Sequence, residues 1–404
     1  MKNQCLICKA EKKTLFFQIK NLPLVDSFLK NKQKALKVPR FSVFLYQCSS
    51  CKTIQINKIP NINKIYQNYI YTSSSSPDLH GHFKKYATFV NKLLPKNNAS
   101  VVEIGANDGL LLNNLKRNKI KLLTAIDPSP QTKTIKNKKI KIINSFFDKK
   151  SCKEVPRCSV DVIIANNCFS HIPNLKQIFL LCDQILKEKG ILIIEIQSTL
   201  SLLEKVIFDY IYHEHLFYHT VTSIEKVASL GNLNLFQVIP VETKGGSYRM
   251  LFGKKNIYKK TSSVDYWKYR EKISKVHSAS AWLEMKHYLI TIKNKIHKII
   301  DNKKYNIFGY GACATGTVFL KFMDLENKIR YLVDNNPARQ NSFAPATGIP
   351  VFSPEKINKN DCGIILAWRH QKIIIKKLKK KKINKIIVPL PEIKTSFAPS
   401  STKK

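Results

Sequence analysis

No apolar run in this chain approaches the ~20 residues that a membrane-spanning helix needs, and the N-terminus lacks the charged-then-apolar order of a secretory signal. Both absences argue against insertion and export, so a cytoplasmic location with no membrane partner is expected. Acidic residues are scarce too: 27 Asp and Glu stand against 69 Lys and Arg, a formal net charge of +42. Such an excess would ordinarily mark a nucleic-acid partner or an anionic membrane. Here the lysines run through every segment, far outnumber the arginines and are not interleaved with aromatics in one patch. That distribution reads as compositional bias, and no nucleic-acid partner is expected. At 404 residues the chain exceeds what one core usually organises, so two or three domains are expected. The oligomeric state is not legible, a monomer being one reading.

The sequence also lacks a disulfide pattern. Six of its ten cysteines (Cys152, Cys158, Cys168, Cys182, Cys313 and Cys362) are scattered among candidate core elements, which fits a reducing compartment. The other four form two knuckles, Cys5-Leu-Ile-Cys8 and Cys48-Ser-Ser-Cys51, with strand-like residues 41–46 running into the second. Each knuckle brings two thiolates to one ion, and two complete the tetrahedral shell of a structural zinc. With all four positions filled by cysteine, the metal has no open position for catalysis. A redox dithiol is the alternative, but nothing here resembles the helix N-terminus that would activate one thiol.

After a serine-rich joint ended by Pro77, from which a helix starts near Asp78, the pattern turns to βα alternation. Strands are expected near residues 100–104, 121–126, 140–143, 161–165 and 191–196, with helices over 109–118 and over 175–187, the latter capped by Gly190. This alternation specifies a parallel sheet with crossover helices. A lysine-rich helical stretch over about 262–302 leads to a second βα unit that opens at Gly309-Tyr-Gly311 and continues through strands near 329–333, 363–367 and 385–389. The expected fold is therefore α/β: a zinc-binding module over 1–75, a Rossmann-like domain over 76–250, a helical linker over 251–303, a C-terminal Rossmann-like α/β domain over 304–395 and a disordered tail over 396–404.

A methyltransferase reading comes from Glu103-Ile-Gly105-Ala-Asn107-Asp108-Gly109 at a strand end, with Asp127 closing the next strand. Glycines let the backbone pass close to a nucleoside, and a carboxylate after the second strand accepts ribose hydroxyls. The spacing is not that of a dinucleotide fingerprint. Carboxylates at Glu103 and Asp108 would repel a pyrophosphate but suit a cationic sulfonium with an amino-acid tail, so S-adenosylmethionine is preferred to NAD. Phe147 falls where such folds pack the adenine, and Asn166 ends the fourth strand beside the donor. Downstream, Tyr212-His213-Glu214-His215 offers a phenol, an acid and a base in one short run. Taken alone, such a run is most often a solvated helix face. The Gly309 unit departs from the dinucleotide pattern as well, and reads as a Rossmann-like domain that holds a nucleotide diphosphate without redox chemistry, with Arg249 and Arg339 as candidate phosphate partners.

Taken together, the chain resembles the three-domain C-methyltransferases of nucleotide-linked 4-keto-deoxysugars. The resemblance rests on the paired knuckles, Tyr69-x-Tyr71-x-Ser73-Ser74, the Glu103 to Gly109 loop and Asn166 through His171-Ile. It extends to Glu195, Tyr212-His-Glu-His215, Gly245-Gly-Ser-Tyr-Arg249, and the Gly309 unit with Asp334-Asn-Asn-Pro337. Pro345-Ala-Thr347 stands where the family usually has Pro-Gly-Thr, and Thr315 where it usually has lysine. The resemblance implies methylation at C3 of a 4-keto-deoxyhexose, which needs a base at the C–H and donors at the oxygen that becomes an enolate. His215 is expected to be the base and Glu214 its orienting group; Tyr212 and His171 would hydrogen-bond the enolate, and Tyr71 would hold the sugar. Substrate contacts are expected at Tyr69, Ser247, Arg249, Gly309, Gly311 and Asp334. O- or N-methylation with the same donor fold would not need the enolising cluster, and an RNA-binding protein would not need the keto-sugar signature.

Overall fold

In the computed structural model the described residues are 4–57, 72–75, 77–301, 305–383 and 385–396. Residues 397–404, expected as part of a disordered tail, lie outside them. The chain divides into two compact units. The first comprises residues 1–14, 46–201 and 214–277, and the second residues 15–45, 202–213 and 278–404.

The first unit is built on a seven-stranded sheet in the order Leu233–Val241, Ser247–Lys254, Leu186–Gln197, Val160–Asn166, Ala99–Ile104, Ile120–Ile126 and Ile140–Ile143. Neighbours are parallel except that Ser247–Lys254 runs against both of its own. Central strands buried on both faces need near-continuous apolar runs, and Val101, Val102, Ile163, Ile164, Ile193 and Ile194 are at most 1% exposed. Chain order reverses between Ala99–Ile104 and Val160–Asn166, so the carboxyl edge there is where a ligand is expected. Against one face packs the Pro77–Leu93 helix, which begins on a proline whose missing N–H costs nothing in a first turn and buries Phe83, Tyr86 and Val90.

The second unit carries its own seven-stranded sheet: Ser342–Phe343, Pro350–Phe352, Tyr331–Val333, Ile307–Tyr310, Cys362–Ile365, Ile386–Val388 and Lys394–Ser396. Its five central strands are parallel and both edges antiparallel. The α/β class and the two Rossmann-like sheets are as expected from sequence.

Three local expectations are corrected. Gly190 lies inside the Leu186–Gln197 strand instead of capping the preceding helix, which ends at Ile185; a Cβ there would meet the Val160 carbonyl oxygen at 2.8 Å. The helix expected over 109–118 shrinks to Leu110–Asn113, because the Asn91 side chain takes the Lys116 amide at 3.1 Å and draws the chain aside. The stretch over 262–302 is two helices, Ser262–Ile273 and Ala279–Asp301. Lys275 turns to φ 50° between them, and the Ser278 hydroxyl accepts the Ser280 amide at the start of the second.

The Ala-for-Gly departure has a measurable consequence. Ala346 sits at φ 57°, held there by its amide on the Ala35 carbonyl at 2.8 Å and by Arg40 on its own carbonyl at 3.0 Å. Left-handed backbone costs a Cβ-bearing residue ~1–2 kcal/mol, partly offset by the extra unfolded-state entropy of glycine. Ala346→Gly is therefore expected to raise stability by about 0.5–1 kcal/mol in denaturant unfolding, and a loss of stability would contradict this account of the loop.

Candidate functional site

The four knuckle cysteines converge, with all their sulfurs within 4.8 Å of one another. Cys5 Sγ lies 3.7 Å from Cys51 Sγ and Cys8 Sγ 3.5 Å from Cys48 Sγ, close to the roughly 3.8 Å that tetrahedral Zn–S bonds of about 2.3 Å impose. Both knuckles fold alike. The residue after the second cysteine, Lys9 or Lys52, is left-handed (φ 64° and 62°), and its amide returns to the carbonyl of the first cysteine at 3.1 and 3.0 Å. The donor set fits a structural zinc ion. From the second knuckle the chain passes directly into Ile54–Ile56, which pairs antiparallel with Phe217–Tyr218, two residues beyond His215.

At the carboxyl edge of the first sheet, Gly105 and Gly109 take positive φ (74° and 72°), shaping the loop after Ala99–Ile104. Asp127 spends both oxygens on this edge, Oδ2 accepting the Asn107 amide at 2.9 Å and Oδ1 the Ser129 amide at 2.7 Å. It fixes the loop and keeps lone pairs for a ligand hydroxyl. Asn107 Oδ1 and Asp108 Oδ2 accept the amides of Ser73 and Ser74, each at 2.9 Å, so the serine-rich joint docks on the donor loop. Phe147 is buried beside the next strand end, where Asn144 bridges the carbonyls of Asp127 and Ser129.

Glu103, Asn166, Glu195 and Arg249 form a polar row across four adjacent strands, on the face covered by Pro77–Leu93. Asn166 Nδ2 donates to Glu103 Oε1 at 3.0 Å, whereas Glu103 Oε2 and Asn166 Oδ1 are buried without a partner among the described residues. Burial first, then the Asp127 and Asp108 charges, push the Glu103 carboxyl well above the usual carboxylate range, against the opposing Asn166 hydrogen bond. Asn166 Oδ1, and a Glu103 carboxyl that a nearby cation would draw back to its anionic form, suit a cationic ammonium group, and the site therefore fits S-adenosylmethionine. Glu195 is engaged on both sides. Its Oε2 accepts from Arg249 Nε and Nη2 at 3.1 and 2.8 Å, and its Oε1 from His82 Nε2 at 2.5 Å. The Arg249 guanidinium also lies 3.6 Å over the Tyr86 ring. Arg249 is thus bound into a buried ion pair, a context in which removing one partner costs about 3–5 kcal/mol. His82 had no signal in the sequence, since one histidine on an amphipathic helix looks like any other.

The Tyr212 to His215 run is a turn between Phe208–Tyr210 and Phe217–Tyr218, not a helix face. His171 Nδ1 donates to the Glu214 carbonyl at 2.7 Å, and its ring lies 5.0 Å from that of His215. The Leu216 and Phe217 amides both reach the Ser170 carbonyl, at 2.7 and 3.2 Å, lacing the turn to the loop that leaves Val160–Asn166. His213 points elsewhere, its Nε2 donating to the Phe41 carbonyl at 3.1 Å. Tyr212 is buried in the second unit. Ser247, 2% exposed, donates to the Thr243 carbonyl at 2.9 Å beyond the Gly245-Gly246 turn. In the second unit Gly309 packs on Leu332 and Leu366, Gly311 on Ala367, and Asp334 accepts the amides of Ala312 and Asn336, each at 2.8 Å. These three residues hold the sheet edge together. Tyr69 and Tyr71 lie outside the described residues.

Burial holds His171, His213 and His219 down to about 4, against the backbone carbonyls that favour their charged forms. With folded values below the ordinary 6.5, unfolding takes up protons between the two, so these residues' contribution to stability is intact above pH 6.5 and is lost as pH falls towards 4. An NMR titration is expected to show all three rings neutral down to about pH 5, and a midpoint near 6.5 for His171 would contradict its burial. Metal analysis is expected to find about one zinc per chain, lost on Cys5→Ser with Cys48→Ser; a folded, metal-free wild type would refute the knuckle assignment.

Three family models match the chain in succession: a zinc binding domain over residues 5–66, a methyltransferase domain over 79–238 and a C-methyltransferase C-terminal domain over 242–391. The C-methyltransferase NovU of Streptomyces niveus is 22% identical over 414 aligned residues, covering 99% of this chain and 98% of its own. Among solved structures, an S-adenosylmethionine-dependent methyltransferase of Mesorhizobium loti matches 41% of this chain and 95% of its own at 11% identity and a TM-score of 0.34. One from Leishmania major matches 47% and 81% at 10% identity and a TM-score of 0.40. No helix among the described residues is long and apolar enough to cross a membrane. With its four-cysteine cluster, its donor loop and these successive matches to a zinc binding, a methyltransferase and a C-methyltransferase C-terminal domain, the chain has the makeup of an S-adenosylmethionine-dependent C-methyltransferase with an N-terminal structural-zinc domain.

Proposed function

We propose that the methyl group is transferred to carbon, at C3 of a nucleotide-linked 4-keto-deoxysugar, after base-assisted enolisation. The observation that supports this reading most is the His171–His215 pair, 5.0 Å apart and laced to the loop beside the donor edge. O- or N-methylation would not need an enolising cluster at that position. Bound S-adenosylmethionine supplies an electrophilic methyl group. His215 takes the proton from C3, and the C–H electrons pass into an enolate with charge on the C4 oxygen. His171, kept neutral by burial, lies across from the base without placing a second cation beside it. Glu214 orients the turn, and Tyr69 and Tyr71 hold the sugar. The enolate carbon then bonds the methyl group as the C–S bond breaks.

In this reading the zinc module spans residues 1–75, the methyltransferase domain 76–250, the helical linker 251–303 and the C-terminal domain 304–395. The ten cysteines, all free thiols among the described residues, fit a reducing cytoplasm.

The test is solvent exchange followed by product analysis. In deuterated water, wild-type protein is expected to exchange the C3 hydrogen of a nucleotide 4-keto-deoxysugar without donor. His215→Asn is expected to lose exchange and turnover by about 10²-fold or more, the usual share of a general base, with S-adenosylmethionine affinity unchanged. Full turnover in that variant would remove His215 as the base, and a methyl group found on oxygen would end the C-methylation reading.

A further inference from the structure

Chain order in the second sheet reverses between Ile307–Tyr310 and Cys362–Ile365, with Tyr331–Val333 and Pro350–Phe352 on one side and Ile386–Val388 on the other. Doubly wound sheets take their ligands at the carboxyl edge of such a switch point. The loop over residues 311–313 and the Trp368–His370 turn leave this edge. Two arginines flank the Ala314–Phe322 helix: Arg369 lies two residues after Ala367, against which Gly311 packs, and Arg339 pairs with Asp26, next to the Val25 carbonyl that accepts from Thr317 of the helix. A nucleotide diphosphate would need these cations.

Both are already neutralised by carboxylates of the chain itself. Arg339 Nη2 lies 2.7 Å from Asp26 Oδ1. Arg369 Nη1 donates to both oxygens of Asp209, at 2.7 and 2.9 Å, and Trp368 Nε1 adds a third bond at 3.1 Å. The Asp209 side chain is 0% exposed, and the Arg369 guanidinium lies 4.7 Å over the Tyr210 ring. Phe208 extends the contact, its ring 4.8 Å from Phe322 and 5.9 Å from Phe319. Three charge-assisted bonds on one buried carboxylate make a rigid anchor. Asp209 stands three residues before Tyr212, in the segment that leads into the proposed catalytic turn.

We propose that Asp209, Trp368 and Arg369 are positioning residues for methyl transfer: a clamp in which the Asp209 carboxylate takes a phosphate's place at the switch-point edge and fixes the Tyr212 end of the turn. On this view the C-terminal sheet holds the enzyme's own segment there. The proposal rests on the catalytic reading of the turn given above, and the expected split between turnover and binding separates the two.

The experiment compares wild type, Asp209→Asn, Trp368→Phe, Arg369→Gln and Arg369→Lys in the full chain. Each is measured for turnover, S-adenosylmethionine affinity, affinity for thymidine and uridine diphosphate, and amide exchange over residues 207–216. The clamp predicts at least a 10-fold fall in turnover and at least a 10-fold rise in exchange over 207–216 for Asp209→Asn and Arg369→Gln. It also predicts partial rescue by Arg369→Lys, and affinities for donor and both diphosphates within about twofold of wild type. Trp368→Phe, which keeps the aromatic bulk, carries the same signature more weakly if Asp209→Asn fails to fold. The proposal is overturned if the variants weaken diphosphate binding 10-fold with exchange over 207–216 unchanged, since the edge is then a nucleotide site, or if turnover and exchange both stay at wild-type values. If His215→Asn is fully active while the clamp variants loosen 207–216 without loss of turnover, the catalytic reading of the turn fails and the positioning proposal falls with it.

Discussion

Leu216 is the point on which the site depends. Its amide donates to the Ser170 carbonyl at 2.7 Å, in the loop beyond the fourth parallel strand, and its carbonyl accepts the Ile56 amide at 3.0 Å, in the strand that leaves the second cysteine knuckle. One residue thus ties the donor sheet to the zinc module, immediately after His215. A loop carrying a general base must hold its geometry closely, because a displacement of about 1 Å can cost 10²-fold in rate. Side-chain packing alone is a soft restraint for an irregular turn, whereas two backbone hydrogen bonds from regular elements are stiff. The zinc acts at a distance: it makes the Ile54–Ile56 strand a fixed edge for Phe217–Tyr218 to pair with.

The second constraint is electrostatic. A chain of net charge +42 nonetheless places two carboxylates, Glu103 and Glu195, on one buried face of its first sheet. Glu195 is compensated internally by Arg249 and His82. Glu103 is not: one oxygen faces Asn166 and the other has no partner among the described residues. Leaving such an oxygen unsatisfied costs about 1–3 kcal/mol, a deficit that a bound ammonium group would remove. The two carboxylates therefore divide the work. One holds the sheet and the Pro77–Leu93 helix together, and the other is available to the donor.

The sequence made the strands and the metal set legible because both rest on local signals. Runs such as Val101-Val102 and Ile163-Ile164 declare a doubly buried strand, and CxxC spacing declares a metal knuckle. What stayed hidden depends on partners distant in the chain. The turn identity of Tyr212 to His215 comes from pairing with residues 54–56 and 170, and the duty of Arg249 from Glu195 on the neighbouring strand. The break at Lys275 sits inside an otherwise helical pattern. Glu271, just before it, is drawn onto the Val221 and Thr222 amides, and no periodicity would announce that. The Asp209 anchor is the extreme case, with its partners 159 and 160 residues away.

The central claim, that zinc fixes the proposed catalytic turn through one short strand pair, is tested most directly by amide hydrogen exchange before and after metal removal by a chelator. The account predicts that residues 54–57 and 214–219 lose protection together, by about tenfold or more, while Ala99–Ile104 and Ile307–Tyr310 stay protected. Unchanged protection of 214–219 in the metal-free protein would contradict it, as would loss of protection spread evenly over both seven-stranded sheets.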